Sequence, residues 1–84
     1  QQRRLAAIMF TDIAGYTALM GKDEDKAIKV LDKNRKIHQQ FIKGFKGKWL
    51  KEMGDGVLAS FDSASDAIYC ACAIQQAAKK SDIP

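Results

Sequence analysis

The sequence predicts a small α+β fold in which a three-stranded antiparallel sheet carries its helices on one face. Three observations predict it: an apolar run at residues 5–11, a Gly-Asp-Gly turn between two short strand-like segments, and two long stretches with helical spacing. The 84 residues suffice for one domain, and their composition, 46% hydrophobic and 29% charged, is typical of globular proteins.

The first element is a buried strand. Residues 5–11 read Leu-Ala-Ala-Ile-Met-Phe-Thr and end at Asp12, which is the pattern of a strand that is apolar on both faces. Residues 12–15 then turn the chain. A short helix is predicted from Tyr16 to Met20, and Gly21 and Lys22 are expected to end it.

A second, longer helix is predicted to start at Asp23, a suitable N-cap, and to end near Gly44 and Gly47. We expect His38 at the helix surface or at the edge of the core, without a catalytic role. Asn34 falls near the same stripe. The apolar positions that recur at helical spacing are Ala27, Val30, Leu31, Ile37, Phe41 and Phe45.

Two strands and a helix complete the chain. Residues 48–53 and 57–61 are strand-like, and Gly54-Asp55-Gly56 between them is typical of a hairpin turn. Ser63 and Asp66 form a capping box that opens the last helix. Its predicted buried stripe is Ala64, Ala67, Ile68, Ala71, Ile74 and Ala78. The order β-α-α-β-β-α is that of a ferredoxin-like split βαβ fold without its final strand.

This topology predicts a carboxylate pair. The first and second strands run parallel, so Asp12 at the end of one and Asp55 in the turn after the other lie at the same edge of the sheet. Oxygen ligands without His or Cys favour Mg²⁺ or Mn²⁺. The alternative is that Asp12 only caps a helix and Asp55 only makes a turn, and spacing alone does not decide. Gly15 permits close backbone approach, and the amides of residues 13–17 could bind phosphate.

Two segments resemble the metal motifs of class III adenylyl and guanylyl cyclases. The first is Phe10-Thr-Asp-Ile-Ala-Gly-Tyr-Thr17 and the second is Lys51-Glu-Met-Gly-Asp-Gly56. Their order and separation also match, and the resemblance covers nearly the whole chain. It implies that residues 1–84 are the N-terminal half of one cyclase catalytic domain, the ferredoxin-like palm truncated to β-α-α-β-β-α.

The resemblance also implies roles for individual residues. Asp12 and Asp55 would bind two divalent ions, Mg²⁺ or Mn²⁺, and the carbonyl group of Ile13 would be a further ligand. Substrate-binding roles fall on Gly15, Tyr16, Thr17, Lys51 and Gly54.

The base preference depends on Lys51. Adenylyl cyclases of the family carry a purine-recognising lysine where this chain has Lys51, and guanylyl cyclases carry glutamate. A lysine can donate a hydrogen bond to N1 of adenine, which is an acceptor, but it suits the N1–H of guanine poorly. ATP is therefore the expected substrate and GTP the less favoured one. The alternative is a plain solvated strand lysine.

The residues that the family supplies from its second half do not occur in this segment. They are a second purine contact and the asparagine and arginine that stabilise the transition state. The 84-residue segment alone is therefore expected to be inactive. The alternative function is a catalytically silent module that binds nucleotide or regulates.

The expected partner is a second copy of the chain. With both helices on one face of the sheet, the other face would expose the apolar side chains of the first strand, a pattern typical of an interface. That strand presents Ala6, Ile8 and Phe10 on one face and Leu5, Ala7 and Met9 on the other.

The remaining expectations concern nucleic acid, membranes and location. The net charge is +4, but lysines alternate with acidic residues, which does not favour nucleic-acid binding. An RNA-recognition module would need exposed aromatic residues on the first and third strands, where only Phe10 and Phe61 occur. The segment contains no apolar run long enough to span a membrane. Cys70 and Cys72 cannot readily pair within a helix, and unpaired thiols favour a cytoplasmic location.

Overall fold

A computed structural model describes residues 6–81 and 83, so Leu5 lies outside the described residues. The element order β-α-α-β-β-α is as predicted. The elements are β1 (Ala7–Thr11), α1 (Tyr16–Lys22), α2 (Glu24–Gly44), β2 (Lys48–Met53), β3 (Gly56–Phe61) and α3 (Ala64–Lys80).

The sheet has the strand order β1-β3-β2, and β3 is antiparallel to both of its neighbours. Thus β1 and β2 run parallel and end at the same edge, as the sequence predicts. In the register, Leu58 of β3 lies opposite Phe10 on one side and Lys51 on the other. A β-bulge between Trp49 and Lys51 shifts the register of β2, and Leu50 occupies it.

The main core lies between the sheet and the helices α2 and α3. Strand residues contribute one face of it and helix residues the other. Its buried members are Met9, Ile42, Val57, Ala59, Phe61, Ala67, Cys70 and Ile74. A smaller apolar cluster of Ile13, Val30 and Ile83 lies beside the loop that follows β1. This cluster anchors the residue next to Asp12 through the buried side chain of Ile13.

Both predicted helix caps are confirmed. The Asp23 side chain accepts a hydrogen bond of 3.1 Å from the amide of Lys26, and the Ser63 hydroxyl accepts one of 3.1 Å from the amide of Asp66. The first helix is longer than predicted, because α1 continues through Gly21 and ends at Lys22.

Two predictions about helix faces are wrong. His38 is not at the surface of α2 or the edge of the core but 2% exposed, and Ile68 of α3 is 60% exposed rather than buried. Helix α3 packs through Ala67, Cys70 and Ile74, so Ile68 points about 100° away from Ala67, and Ala64 is exposed as well. Small side chains on the packed side let α3 approach the sheet closely.

The face of the sheet opposite the helices is open and partly apolar. Its exposed side chains include Ile8 (59%), Phe10 (53%) and Met53 (43%). The ring of Phe10 lies over Gly56, where an added Cβ would be 2.7 Å from the ring carbon Cζ, so a larger residue there would displace the exposed ring. The expected apolar open face is confirmed. None of the helices within residues 6–81 is both long and apolar enough to cross a membrane.

Candidate active site

The two segments that carry the predicted aspartates lie side by side at one edge of the sheet. Asp12 directly follows β1, and Asp55 lies in the turn between β2 and β3. The backbone amide of Ile13 donates a hydrogen bond of 2.9 Å to Oδ2 of Asp55. The contact connects the residue after Asp12 to the carboxylate of Asp55, so the two segments are held side by side. Asp12 itself is exposed and Asp55 is half-buried.

The oxygen donors at this edge fit a hard divalent cation. The Asp55 carboxylate, the exposed Asp12 and the carbonyl group of Ile13 lie on two adjacent segments here, and Mg²⁺ and Mn²⁺ favour such oxygen ligands. Within residues 6–81 and 83 no group of three or more His, Cys, Asp or Glu side chains could hold a metal. A metal here would therefore need backbone, water or phosphate oxygens as well, as is usual for Mg²⁺ bound together with a triphosphate.

The loop after Asp12 depends on a left-handed glycine. Gly15 has φ of 71° and is the N-cap of α1 without a side-chain hydrogen bond, a conformation that glycine adopts without strain. The Tyr16 amide donates a hydrogen bond of 3.2 Å to the Ile13 carbonyl oxygen. Thr17 is exposed in the first turn. The hairpin turn has the same requirement at Gly54, whose φ is 59°.

Lys51 lies on the open face of the sheet. It is exposed and pairs with Leu58, which also pairs with Phe10, so the three residues form one row across the strands. The next residue, Glu52, points to the helix side. There its two carboxylate oxygens accept hydrogen bonds of 3.1 and 2.9 Å from Nε of Arg35 in α2. This ion pair fixes the strand beside Lys51 and was not predicted.

A buried histidine lies behind Asp12. Nε2 of His38 is 2.6 Å from the Thr11 hydroxyl oxygen, and Nδ1 is 2.8 Å from the carbonyl oxygen of Asn34. Burial lowers the pKa of His38, although the Asn34 carbonyl and the charge of Glu52 oppose the shift. The imidazole is therefore neutral near pH 7. In the sequence, the i, i+4 spacing of the polar residues Asn34 and His38 near the apolar stripe of α2 was the one indication that this histidine could be buried.

A cleft of about 350 Å³ opens between this histidine and the C-terminal part of α3. Thr11, Asp12 and His38 line one side of it, and Gln75 and Lys79 line the other. Phe61 is buried on the helix side at 2% exposure, so it does not share a face with Phe10. The two aromatic residues therefore do not form the pair that an RNA-recognition sheet presents.

Comparison with known proteins gives a consistent family. No protein-family model matches the chain. A Rhizobium meliloti (strain 1021) protein named "Putative adenylate cyclase 3" is 40% identical over 86 residues, which cover 99% of this chain. A bacterial light-regulated adenylyl cyclase has a similar structure, with a TM-score of 0.83 and 26% identity over 89% of this chain. An adenylate cyclase from Trypanosoma brucei shares the fold, with a TM-score of 0.82 and 24% identity over 84% of the chain.

The chain spans only part of each relative: 15% of the Rhizobium protein, 41% of the light-regulated cyclase and 30% of the trypanosome cyclase. The match in sequence extends over nearly the whole chain, and the matches in structure over 84–89% of it. The chain belongs to the class III adenylyl cyclase family.

Proposed function

We propose that the protein containing this chain is an adenylate cyclase, which converts ATP to cyclic AMP and pyrophosphate, and that residues 1–84 are the N-terminal half of its catalytic domain. The observation that supports this most is the hydrogen bond from the Ile13 amide to Asp55, which holds the residue after Asp12 against the Asp55 carboxylate. The alternative, in which Asp12 only caps a helix and Asp55 only makes a turn, explains each aspartate separately. It does not explain why the two strand ends carry carboxylates at the same place.

In the proposed reaction the 3′-oxygen of ATP forms a bond to the α-phosphorus. The bond from that phosphorus to the bridging oxygen of the leaving pyrophosphate breaks, and the 3′-hydroxyl loses its proton. Two divalent ions, Mg²⁺ or Mn²⁺, held by Asp12, Asp55 and the Ile13 carbonyl group, would supply the positive charge that stabilises the reacting oxygens.

The chain itself would bind and orient the substrate. We assign the phosphates chiefly to the amides of Gly15 and Thr17, because the Tyr16 amide already donates to Ile13. The left-handed conformation of Gly54 favours glycine, so the turn that carries Asp55 has no side chain at this position. Lys51 would donate a hydrogen bond to adenine N1, which favours ATP over GTP.

We also propose that two copies of the chain associate through the open face. That face exposes Ile8, Phe10 and Met53. Exposed apolar patches of this kind commonly mark interfaces between protein chains. The cytoplasm is the proposed location. Two cysteines, Cys70 and Cys72, are free. Free thiols support this location because the cytoplasm keeps thiols reduced.

Product analysis tests the proposed activity. The full-length protein is incubated with ATP and Mn²⁺, and the products are separated by chromatography. We expect 3′,5′-cyclic AMP and pyrophosphate in equal amounts. Release of ADP or AMP instead would contradict the proposal. Binding of ATP without any product would support the silent module, which regulates or binds nucleotide without turnover.

A further inference from the structure

Asp12 lies between two residues that are each fixed by a side-chain hydrogen bond. Before it, the Thr11 hydroxyl is bonded to Nε2 of His38 at 2.6 Å; after it, the Ile13 amide is bonded to Asp55 at 2.9 Å. We infer that the Thr11–His38 hydrogen bond is a positioning contact that holds the end of β1, and with it Asp12, beside Asp55. His38 does not touch the reacting atoms in this proposal but acts through Thr11.

The direction of the hydrogen bonds follows from their partners. The carbonyl oxygen of Asn34 can only accept, so Nδ1 of His38 carries the proton and donates it. In the neutral imidazole Nε2 is then an acceptor, and the hydroxyl of Thr11 donates to it. Both ring nitrogens are thus used, one by the helix backbone and one by the strand. His38 is 2% exposed, and among the described residues its hydrogen-bond partners are Thr11 and Asn34.

The contact lies where the sheet stops holding β1. The register of β1 with β3 ends at Thr11 opposite Val57, so Asp12 is the first residue beyond the paired strand. A strand end without ladder hydrogen bonds is free to fray unless a side chain or loop fixes it. The Thr11 hydroxyl reaches a buried ring on a helix of 21 residues, which is a rigid support.

The same helix fixes the other outer strand. Arg35 lies one turn before His38 in α2 and forms the ion pair with Glu52 of β2, three residues before Asp55. Helix α2 therefore contacts both strands whose ends carry the carboxylates, through one polar contact on each. This arrangement explains why a histidine occupies position 38 on the buried side of α2.

Three variants of the full-length protein separate positioning from stability. Thr11→Val keeps the β-branched shape and removes the hydroxyl, whereas Thr11→Ser keeps the hydroxyl. Thr11→Val alone leaves Nε2 of His38 buried without a partner, which is destabilising in itself. The double variant Thr11→Val/His38→Leu removes both partners, so that no unsatisfied group remains and overall stability is largely restored.

Two measurements are made on each variant. The first is hydrogen–deuterium exchange of residues 9–17 without metal, with residues 24–33 of α2 as the internal reference. The second is the affinity for Mn²⁺, measured by electron paramagnetic resonance. In Thr11→Val and in the double variant we expect faster exchange and weaker Mn²⁺ binding, each by about tenfold, which corresponds to one lost hydrogen bond. Thr11→Ser should stay within about twofold of the original protein on both.

The outcomes decide the proposal. A double variant that exchanges slowly and binds Mn²⁺ like the original protein would show that the pair only contributes to stability. If Thr11→Ser speeds exchange and weakens Mn²⁺ binding as much as Thr11→Val does, the hydroxyl is not the relevant group. The second measurement rests on the proposed role of Asp12, so Asp12→Asn is included. If that variant binds Mn²⁺ normally, the metal assignment fails, and the exchange measurement alone decides the positioning role.

Discussion

The backbone amide of Ile13 donates a hydrogen bond of 2.9 Å to Oδ2 of Asp55, across the turn between β2 and β3. Asp55 therefore does two things at once. One carboxylate oxygen holds the segment that follows β1, and the other is available to a ligand at the edge of the sheet. Asp12 is exposed and has no comparable structural contact with the described residues. Replacing Asp55 is thus expected to lower the stability of the fold more than replacing Asp12 does, although both residues have the same proposed role in metal binding.

This difference gives the first prediction. Asp55→Ala should lower the free energy of unfolding by about 1–2 kcal/mol, because the buried side of the turn loses a hydrogen bond to a charged group. Asp12→Ala should change it by less than about 0.5 kcal/mol, since the side chain is exposed. Urea denaturation of both variants measures the two values. Equal losses would contradict the structural role of Asp55.

The second prediction concerns base recognition. Lys51→Glu should lower kcat/KM for ATP by about tenfold or more while affecting GTP less, because a carboxylate cannot donate to adenine N1 but can accept from guanine N1–H. Lys48→Glu is the matched control: it makes the same charge change on the same strand, at an exposed position opposite Ser60. An equal loss for both nucleotides in Lys51→Glu would exclude base reading by this lysine.

The third prediction concerns the open face of the sheet. Ile8→Glu should weaken self-association of the full-length protein by about tenfold or more, since it places a charge in the middle of the apolar interface. Ile68→Glu makes the same change at nearly the same exposure, 60% against 59%, but on α3. Sedimentation equilibrium compares the two. Unchanged association in Ile8→Glu, or an equal effect of Ile68→Glu, would contradict an interface on the open face.

The fourth prediction is a pH dependence of stability. Burial lowers the pKa of His38 below its ordinary value of 6.5, so the unfolded chain binds the proton more readily than the folded one. The contribution of neutral His38 is therefore fully present above about pH 6.5 and is lost as the pH falls toward the folded pKa. The charged groups that face His38 include Glu52, whose charge acts on the ring, and Asp12, which lines the same cleft.

The double variant Thr11→Val/His38→Leu isolates this histidine from the other titrating groups. Between about pH 7.5 and about pH 5.5 the original protein should lose more unfolding free energy than the double variant does. The measurement is a urea titration at each pH. A loss of the same size in both proteins would show that His38 does not contribute to the pH dependence.

Much of this architecture is predictable because its signals are local. The capping residues Asp23 and Ser63 and the Gly54–Gly56 turn each have a backbone requirement that few residue types meet. The carboxylate pair is predictable for a different reason: the split βαβ topology itself brings the end of β1 and the β2–β3 turn together. These features needed no knowledge of side-chain packing.

The features that sequence reasoning missed depend on partners that are distant in the chain. His38 is buried because the Thr11 hydroxyl satisfies its ring, and nothing within α2 predicts that partner. The Arg35–Glu52 ion pair has the same character. The predicted stripe of α3 is right at Ala67 and Ile74, but it includes the exposed Ile68 and omits Cys70, which is buried against the sheet. Apolar spacing alone does not separate a closely packed small residue from an exposed large one.

The most direct test of the account is an assay of the aspartate pair in the full-length protein. Cyclic AMP formation from ATP and Mn²⁺ is measured for the original protein and for Asp12→Asn, Asp55→Asn and Asp62→Asn. Asp62 is the control, an exposed aspartate after β3. We predict that the first two variants lose about 100-fold or more of the rate, because metal-held charge is worth several kcal/mol, while Asp62→Asn keeps it. Undiminished cyclic AMP formation in both Asp12→Asn and Asp55→Asn would contradict the central claim.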